Sequence, residues 1–387
     1  ETRGLTEPVI NSPSDFNTLI LKMLERPNIS SKEWIIRQYD HEVQGGSVIK
    51  PLVGVNHNIP SDASVTRPVL TSEKGLAFSQ SLLPWYSKID AFHMMACTID
   101  EAVRRLMAVG GNFDHIGGLD NFCWPNIQFD FIKNPDGKFK AAQLVRACRA
   151  LKETCEKYEI PLLSGKDSMY VDGHLEGAFG ERIKVSALET IQFSATSVIE
   201  DVSKCVSMDP KVAGDLVYVL GETANELGAS EFYEIFHRTG LNVPHVDCDK
   251  FKVVYKAVQI AIEKGLVASC HAVGRGGLGV HLSYMTMAGG LGLEVHLKGL
   301  PMNESRGSLL SETLLFSESA GRFIVTIPKE NRSVFEKLFK GMAAGCVGIV
   351  TDVHDHLKIF GPDRESVADL STTQLYQAFN KTFGDMI

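Results

Sequence analysis

The sequence has no excess of positive charge: 39 Lys and Arg stand against 47 Asp and Glu, a formal net charge of −8 over 387 residues. A nucleic-acid-binding surface needs clustered Lys and Arg to neutralise phosphates, and no such run occurs, so that class is excluded. Long apolar runs are missing as well. Stretches such as Leu216–Leu220 and Phe323–Ile327 fall far short of the ~20 residues that cross a bilayer, so no membrane role is expected. The eight cysteines, at 97, 123, 148, 155, 205, 248, 270 and 346, form no CxxC pair and no zinc-ligand spacing. They read as reduced thiols of a cytoplasmic protein, several of them core fillers. The chain opens at Glu1 with neither a charged nor an apolar leader segment, and it reads as a piece of a longer protein rather than a secreted one.

Two catalytic devices are also absent. Gly165-Lys166 invites a P-loop reading, which needs Gly at position 160 and Ser or Thr at 167, where Ile160 and Asp167 stand,. There is no GxSxG elbow, and Gly345-Cys346-Val347-Gly348 misplaces its first glycine for the cysteine equivalent, so a built-in glutaminase is not expected.

What is present suffices for real cores: 44% of the residues are hydrophobic, and the length suggests two or three domains. Ser12-Pro13-Ser14-Asp15 reads as a capped helix start before an apolar face of Phe16, Leu19, Ile20, Met23 and Leu24 at helical spacing, ended by Pro27,. A second helical stretch carries Ser31, Trp34, Ile35 and Gln38, and Tyr39–Gly46 turns into a strand. Strands are predicted at 63–69 and 75–79, and a helix at 98–109 with Thr98 and Glu101 as its capping box,. The longest predicted helix is 139–158, with Leu144, Cys148, Leu151 and Cys155 on one side,. A short buried strand at 160–163 then feeds a loop, Ser164–Met169. The composition turns polar around Met208-Asp209-Pro210 before a fresh strand. This divides the chain into a helical linker (1–45), a first αβ domain (46–206) and an α+β domain (207–387).

Candidate chemistry is sparse, and each signal has an ordinary reading beside it. The 164–169 loop combines a cation, a carboxylate and hydroxyls that suit Mg²⁺ and phosphate, or it is a surface turn. Glu101 and Arg105, four apart on a helix, form an intrahelical ion pair or line a site. Gly276-Gly277 after His271 allows close backbone approach to a phosphate, or marks a turn. His41 between Asp40 and Glu42 is a proton-transfer candidate or a surface residue.

Several segments in order resemble one family. They are Ser31–Trp34, Tyr39–Gln44, Pro60–Val65, Leu119–Trp124, Pro161 with Ser164–Met169, Gly276–Leu278 and Leu315–Ser319. Together they resemble the second half of the synthetase region of formylglycinamide ribonucleotide amidotransferase, within the aminoimidazole ribonucleotide synthetase-like superfamily. That resemblance implies an α+β fold with an N-terminal half-barrel domain and a C-terminal domain of helices over a mixed sheet. It implies a ligase of purine biosynthesis, in which ATP phosphorylates an amide oxygen and ammonia displaces the phosphate. The partners it implies are a first synthetase half holding the catalytic nucleotide site and a glutaminase domain or subunit; an isolated chain would self-associate as a homodimer.

In such a second half the resemblance implies an auxiliary ATP or ADP with Mg²⁺. Its nucleotide and phosphate positions fall on Ser61, Lys166, Asp167, Ser168, Gly274, Gly276 and Gly277, and its metal positions on Asp62, Glu101, Arg105 and Ala272. Only Asp62 and Glu101 keep a carboxylate. The family pattern has Asn at 105, Asp at 272 and a further acidic residue where Arg275 stands, so the expectation is a degenerate site. His41 matches, by pseudo-symmetry, a catalytic histidine of the other half. The stretches 61–62, 101–105, 165–168 and 271–277 are expected to converge on one hollow between the domains. The competing readings are a non-catalytic scaffold or regulatory module, and another ATP-using member of the superfamily such as aminoimidazole ribonucleotide synthetase, selenophosphate synthetase or thiamine monophosphate kinase.

Overall fold

A computed structural model describes residues 4–307, 309–353 and 356–384. Two sheets organise it. The first has six strands in the order Ser47–Ile49, Ser64–Thr66, Gly75–Leu82, Thr190–Ile199, Ile116–Cys123 and Leu162–Ser168. Its pairs are antiparallel except the last, where Leu162–Ser168 lies parallel to Ile116–Cys123. The second has seven, in the order Ser269–Ala272, Phe323–Ile327, Leu216–Leu220, Ala344–Val353, Leu291–His296, His356–Phe360 and Ser366–Ser371. Mixed sheets covered by helices make the chain α+β, as expected.

Strand Gly75–Leu82 shows the logic of the first sheet. Ala77, Ser79 and Ser81 are buried while Phe78, Gln80 and Leu82 are exposed, the period-two alternation of a sheet with one covered face. The helices Ala91–Ala108 and Gly137–Tyr158 lie on the inner side. The opposite face leaves Phe78, Leu82 and Leu163 exposed, in keeping with a half-barrel.

Local chemistry moved several boundaries. The helix predicted from Thr98 begins at Ala91, because Asp90 is the cap and accepts the Phe92 amide at 2.7 Å,. Thr98 sits mid-helix and returns its hydroxyl to Met94 O at 2.8 Å,. The stretch at 31–38 yields a single turn, Glu33–Ile36, with no buried residue. In the long helix the buried row is Gln143, Ala147, Ala150, Thr154 and Tyr158, and Cys148 is exposed. Ala147 and Ala150 face in where this helix packs closely on the helix Ala91–Ala108. The predicted loop Ser164–Met169 is instead largely strand Leu162–Ser168, exposed almost throughout because it is the sheet's edge.

Within the opening segment, residues 12–31 pack on the C-terminal domain. Leu19, Ile20, Met23 and Leu24 are buried, and the segment is pinned by Ser12 Oγ to Glu312 (2.7 Å), Ser31 N to Phe379 O (2.9 Å) and Tyr284 OH to Ile29 O (2.7 Å). The two domains are joined by a buried polar knot. Asp100, on the first domain's helix, accepts from Tyr158 OH at 2.7 Å and from Tyr255 OH of the second domain at 2.6 Å, and pairs with Arg104. Arg104 also donates to Val273 O at 3.1 Å. A buried carboxylate with three donors is stable only where all three stay in place, so the knot fixes the domain interface.

Candidate functional site

Three of the four expected stretches meet at that interface. Asp62, in the loop before strand Ser64–Thr66, reaches the end of strand Ser269–Ala272 in the other domain. Its oxygens accept from His271 Nδ1 at 2.9 and 3.0 Å and from Ala272 N at 3.0 Å. His271 Nε2 lies 2.7 Å from His281 Nδ1, and Gly274 N donates to His281 Nε2 at 2.8 Å. Arg275 O also lies 3.2 Å from His281 Nε2, but the nearer Gly274 amide cannot accept, and this makes Nε2 the acceptor. His281 carries its proton on Nδ1 and gives it to His271, whose own proton goes from Nδ1 to Asp62. All three side chains are buried, and burial, followed by His271, pushes His281 well below the usual histidine range,.

Next to this relay, Glu101 is buried and pairs with Arg105, whose guanidinium also donates to Gln80 O at 2.9 Å. Arg275 turns the other way. It donates to Ala229 O (2.9 Å), Glu318 (3.0 Å) and Glu231 (2.5 Å). Glu318 is completely enclosed by donors: Tyr86 OH at 2.6 Å, Gly276 N at 2.8 Å, Glu231 N at 2.9 Å and Arg275. Glu231 adds Asn28 at 2.8 Å and Arg26. Although burial alone would raise it, Arg275 and these donors hold its carboxyl down at about 2,. Glu101, Arg105, Arg275 and His281, with Trp85 and Tyr284, line a cleft of about 460 Å³.

The glycines in the 274–277 turn are there for space. Gly277 has φ +71°, and a Cβ would lie 2.7 Å from Leu315 O and Phe316 Cα, so only glycine lets the helix Gly277–Gly289 start against that backbone. Two amides that a phosphate would seek, Gly274 N and Gly276 N, are already given to His281 and Glu318.

The fourth stretch stands apart. Lys166 is paired with Asn121 and Asn121 with Gln192, which lines the cleft, so Lys166 lies two strands from the cleft's edge, or about 10 Å at the usual spacing. Lys166 donates to Ser168, and Asp167 adds its charge to Asp120, whose carboxyl is raised chiefly by burial. Ser61 donates to Ala63 O at 2.8 Å, and His41 Nδ1 lies 2.8 Å from Tyr39 O, beside Glu42. Of the expected stretches, 101–105 and 271–281 line the cleft, Asp62 lies behind it on His271, and Lys166, Asp167 and Ser168 are on the last strand of the six-stranded sheet.

The donor set does not fit a hard dication. Mg²⁺ wants several free oxygens in octahedral array. Asp62 is spent on His271 and Ala272, Glu101 on Arg105, and no group of three metal-ligating His, Cys, Asp or Glu side chains exists among the described residues. Sequence reasoning missed the Glu318, Glu231 and His281 side chains. Ser317-Glu318-Ser319 gave only a family word, with no sign that a carboxylate would be wholly buried.

Two domains of this kind, a half-barrel sheet and an α+β partner meeting at such a cleft, define a class. The N-terminal domain model of AIR synthase related protein matches residues 60–177 and the C-terminal domain model matches 212–358; the chain belongs to that family. Within it, the chain is similar to the phosphoribosylformylglycinamidine synthase subunit PurL of Methanocaldococcus jannaschii, 33% identical over 385 residues, covering 97% of this chain and 48% of that protein. The PurL of Alkaliphilus metalliredigens is 32% identical over 341 residues, covering 88% and 41%. The chain thus spans about half the length of the curated relatives it matches. Among solved structures, Thermotoga maritima PurL complexed with FGAR superposes with a TM-score of 0.66 at 16% identity, covering 93% of this chain and 53% of that one. PurLQS from the same organism gives 0.67 at 15%, covering 95% and 52%. At those identities the superpositions establish the fold.

Proposed function

We propose that this chain is the second synthetase half of a phosphoribosylformylglycinamidine synthase, a cytoplasmic ligase of purine biosynthesis. The observation that carries the reading is similarity to PurL along 97% of the chain. Relatives have been solved with FGAR and with ATP, which supports an ATP-dependent conversion of an amide to an amidine. Amide oxygen is a poor leaving group until phosphorylated, so the chemistry needs positioned nucleotide and ammonia rather than a protein nucleophile. The catalytic nucleotide belongs to a companion first half, and ammonia to a glutaminase.

This half contributes structure. Its auxiliary nucleotide cleft has lost its cation-binding set, and the two arginines neutralise carboxylates instead of phosphate. His41, Ser61 and the Lys166–Ser168 strand, which lie outside the cleft, serve the side that meets the companion half. The test is reconstitution: companion half, ATP, FGAR and ammonium ions, with and without this chain, followed by phosphate release. Turnover is expected only with both halves. Equal turnover by the companion half alone would overturn the reading.

A further inference from the structure

The hairpin Asp172–Glu176 and Arg182–Ser186 forms a two-stranded sheet of its own, exposed along nearly its whole length, with one polar and one apolar face. Its register places Asp172 opposite Ser186, His174 opposite Lys184 and Glu176 opposite Arg182 on one face, and Gly173 opposite Val185 and Leu175 opposite Ile183 on the other. The polar face touches the protein only at its base, through Asp172, Lys184 and Ser186, and His174, Glu176 and Arg182 stay exposed. Lys184 reaches Lys133 O at 3.2 Å and Asp172 at 3.1 Å, Lys140 reaches Ser186 at 3.3 Å, and Asn126 N donates to Asp172. The apolar face points to solvent: Leu175 is 63% exposed, Ile183 46%, Val185 42%, and Phe179 at the tip 96%. A Cβ added to Gly173 would meet nothing within 4 Å. The hairpin follows directly on the edge strand Leu162–Ser168, whose outer side pairs with no strand.

Solvated hairpins turn polar side chains outward, and a contiguous apolar face turned outward marks a contact surface. We infer that the hairpin is a docking arm for the companion synthetase half, its Leu175–Ile183–Val185 face lying against that half beyond the barrel seam. The occupant follows from two facts. The relatives are about twice as long as this chain, and the arm continues the free edge of the half-barrel sheet. The inference rests on the proposed function and adds a specific surface to it.

Hydrogen exchange decides the matter, comparing the 387-residue chain alone with the native synthase that contains this sequence. In the native assembly, amides of 172–186 are expected to exchange at least tenfold more slowly than in the chain alone. The double variant Leu175→Asp/Ile183→Asp is expected to fold normally, since both residues are exposed, and to weaken association with the companion half at least tenfold. Equal exchange in both states, with a companion half present, overturns the docking arm and leaves the proposed function standing. If no companion half accompanies the sequence, both fall. If the chain alone dimerises and protects the hairpin, the occupant is a second copy and the inference is overturned.

Discussion

At the scale of single residues, the cleft is held by groups that satisfy one another. Asp62→Asn would put an amide where a carboxylate accepts from His271 and Ala272, leaving a buried donor against donors. A loss of about 3–5 kcal/mol is expected in denaturant unfolding; a loss below 1 kcal/mol would mean that the relay is not part of the interdomain joint. His281 supplies a pH signature. Unfolded, it takes up a proton below its ordinary value of 6.5; folded, it stays neutral to a much lower pH. Its contribution is full above pH 6.5 and is lost as pH falls below that, by up to about 1.4 kcal/mol per pH unit. His281→Gln should flatten that part of the stability curve. Glu231 acts in a lower window: held at about 2 against an ordinary 4.5, it contributes about 3 kcal/mol above pH 4.5, lost between 4.5 and 2.

At the scale of elements, what was legible in the sequence was what local rules determine. The helix Phe16–Leu24, with Asp15 as its cap, and the extent of the long helix to Tyr158 follow from capping and periodicity. The start at Ala91 was missed because Thr98 and Glu101 mimic a capping box, while the true cap, Asp90, precedes residues whose apolar spacing is broken by His93. The exposed strand through Lys166 was read as a loop because a half-barrel edge turns polar residues outward, and polarity alone reads as loop. Asp62 and Glu101 could be found from their family positions. Glu318, Glu231 and His281 could not, since their partners lie 40 to 230 residues away or in another turn. One element test follows from this packing. Gly277→Ala forces a left-handed residue and a Cβ into the backbone of 315–316, and more than about 2 kcal/mol should be lost. A neutral result in calorimetry would show that the turn can move away from that backbone.

At the scale of the whole molecule, one sheet leaves a face exposed among the described residues and one cleft is lined by paired charges. The first property supports the proposed companion. In the second, Arg275 is bound to Glu231 and Glu318, and Arg105 to Glu101, so both guanidiniums already carry carboxylate partners. Arg275→Met leaves Glu231 and Glu318 buried without their main counter-charge. It should cost about 3–5 kcal/mol while leaving the far surface, including the 172–186 hairpin, unchanged in hydrogen exchange. The central claim of the proposed function is that the cleft is a nucleotide site converted to internal salt bridges. Isothermal titration of the chain with ADP, in Mg²⁺ and again in EDTA, tests it most directly. The account predicts no submicromolar binding in either buffer and no difference between them; submicromolar binding that disappears with EDTA would contradict it.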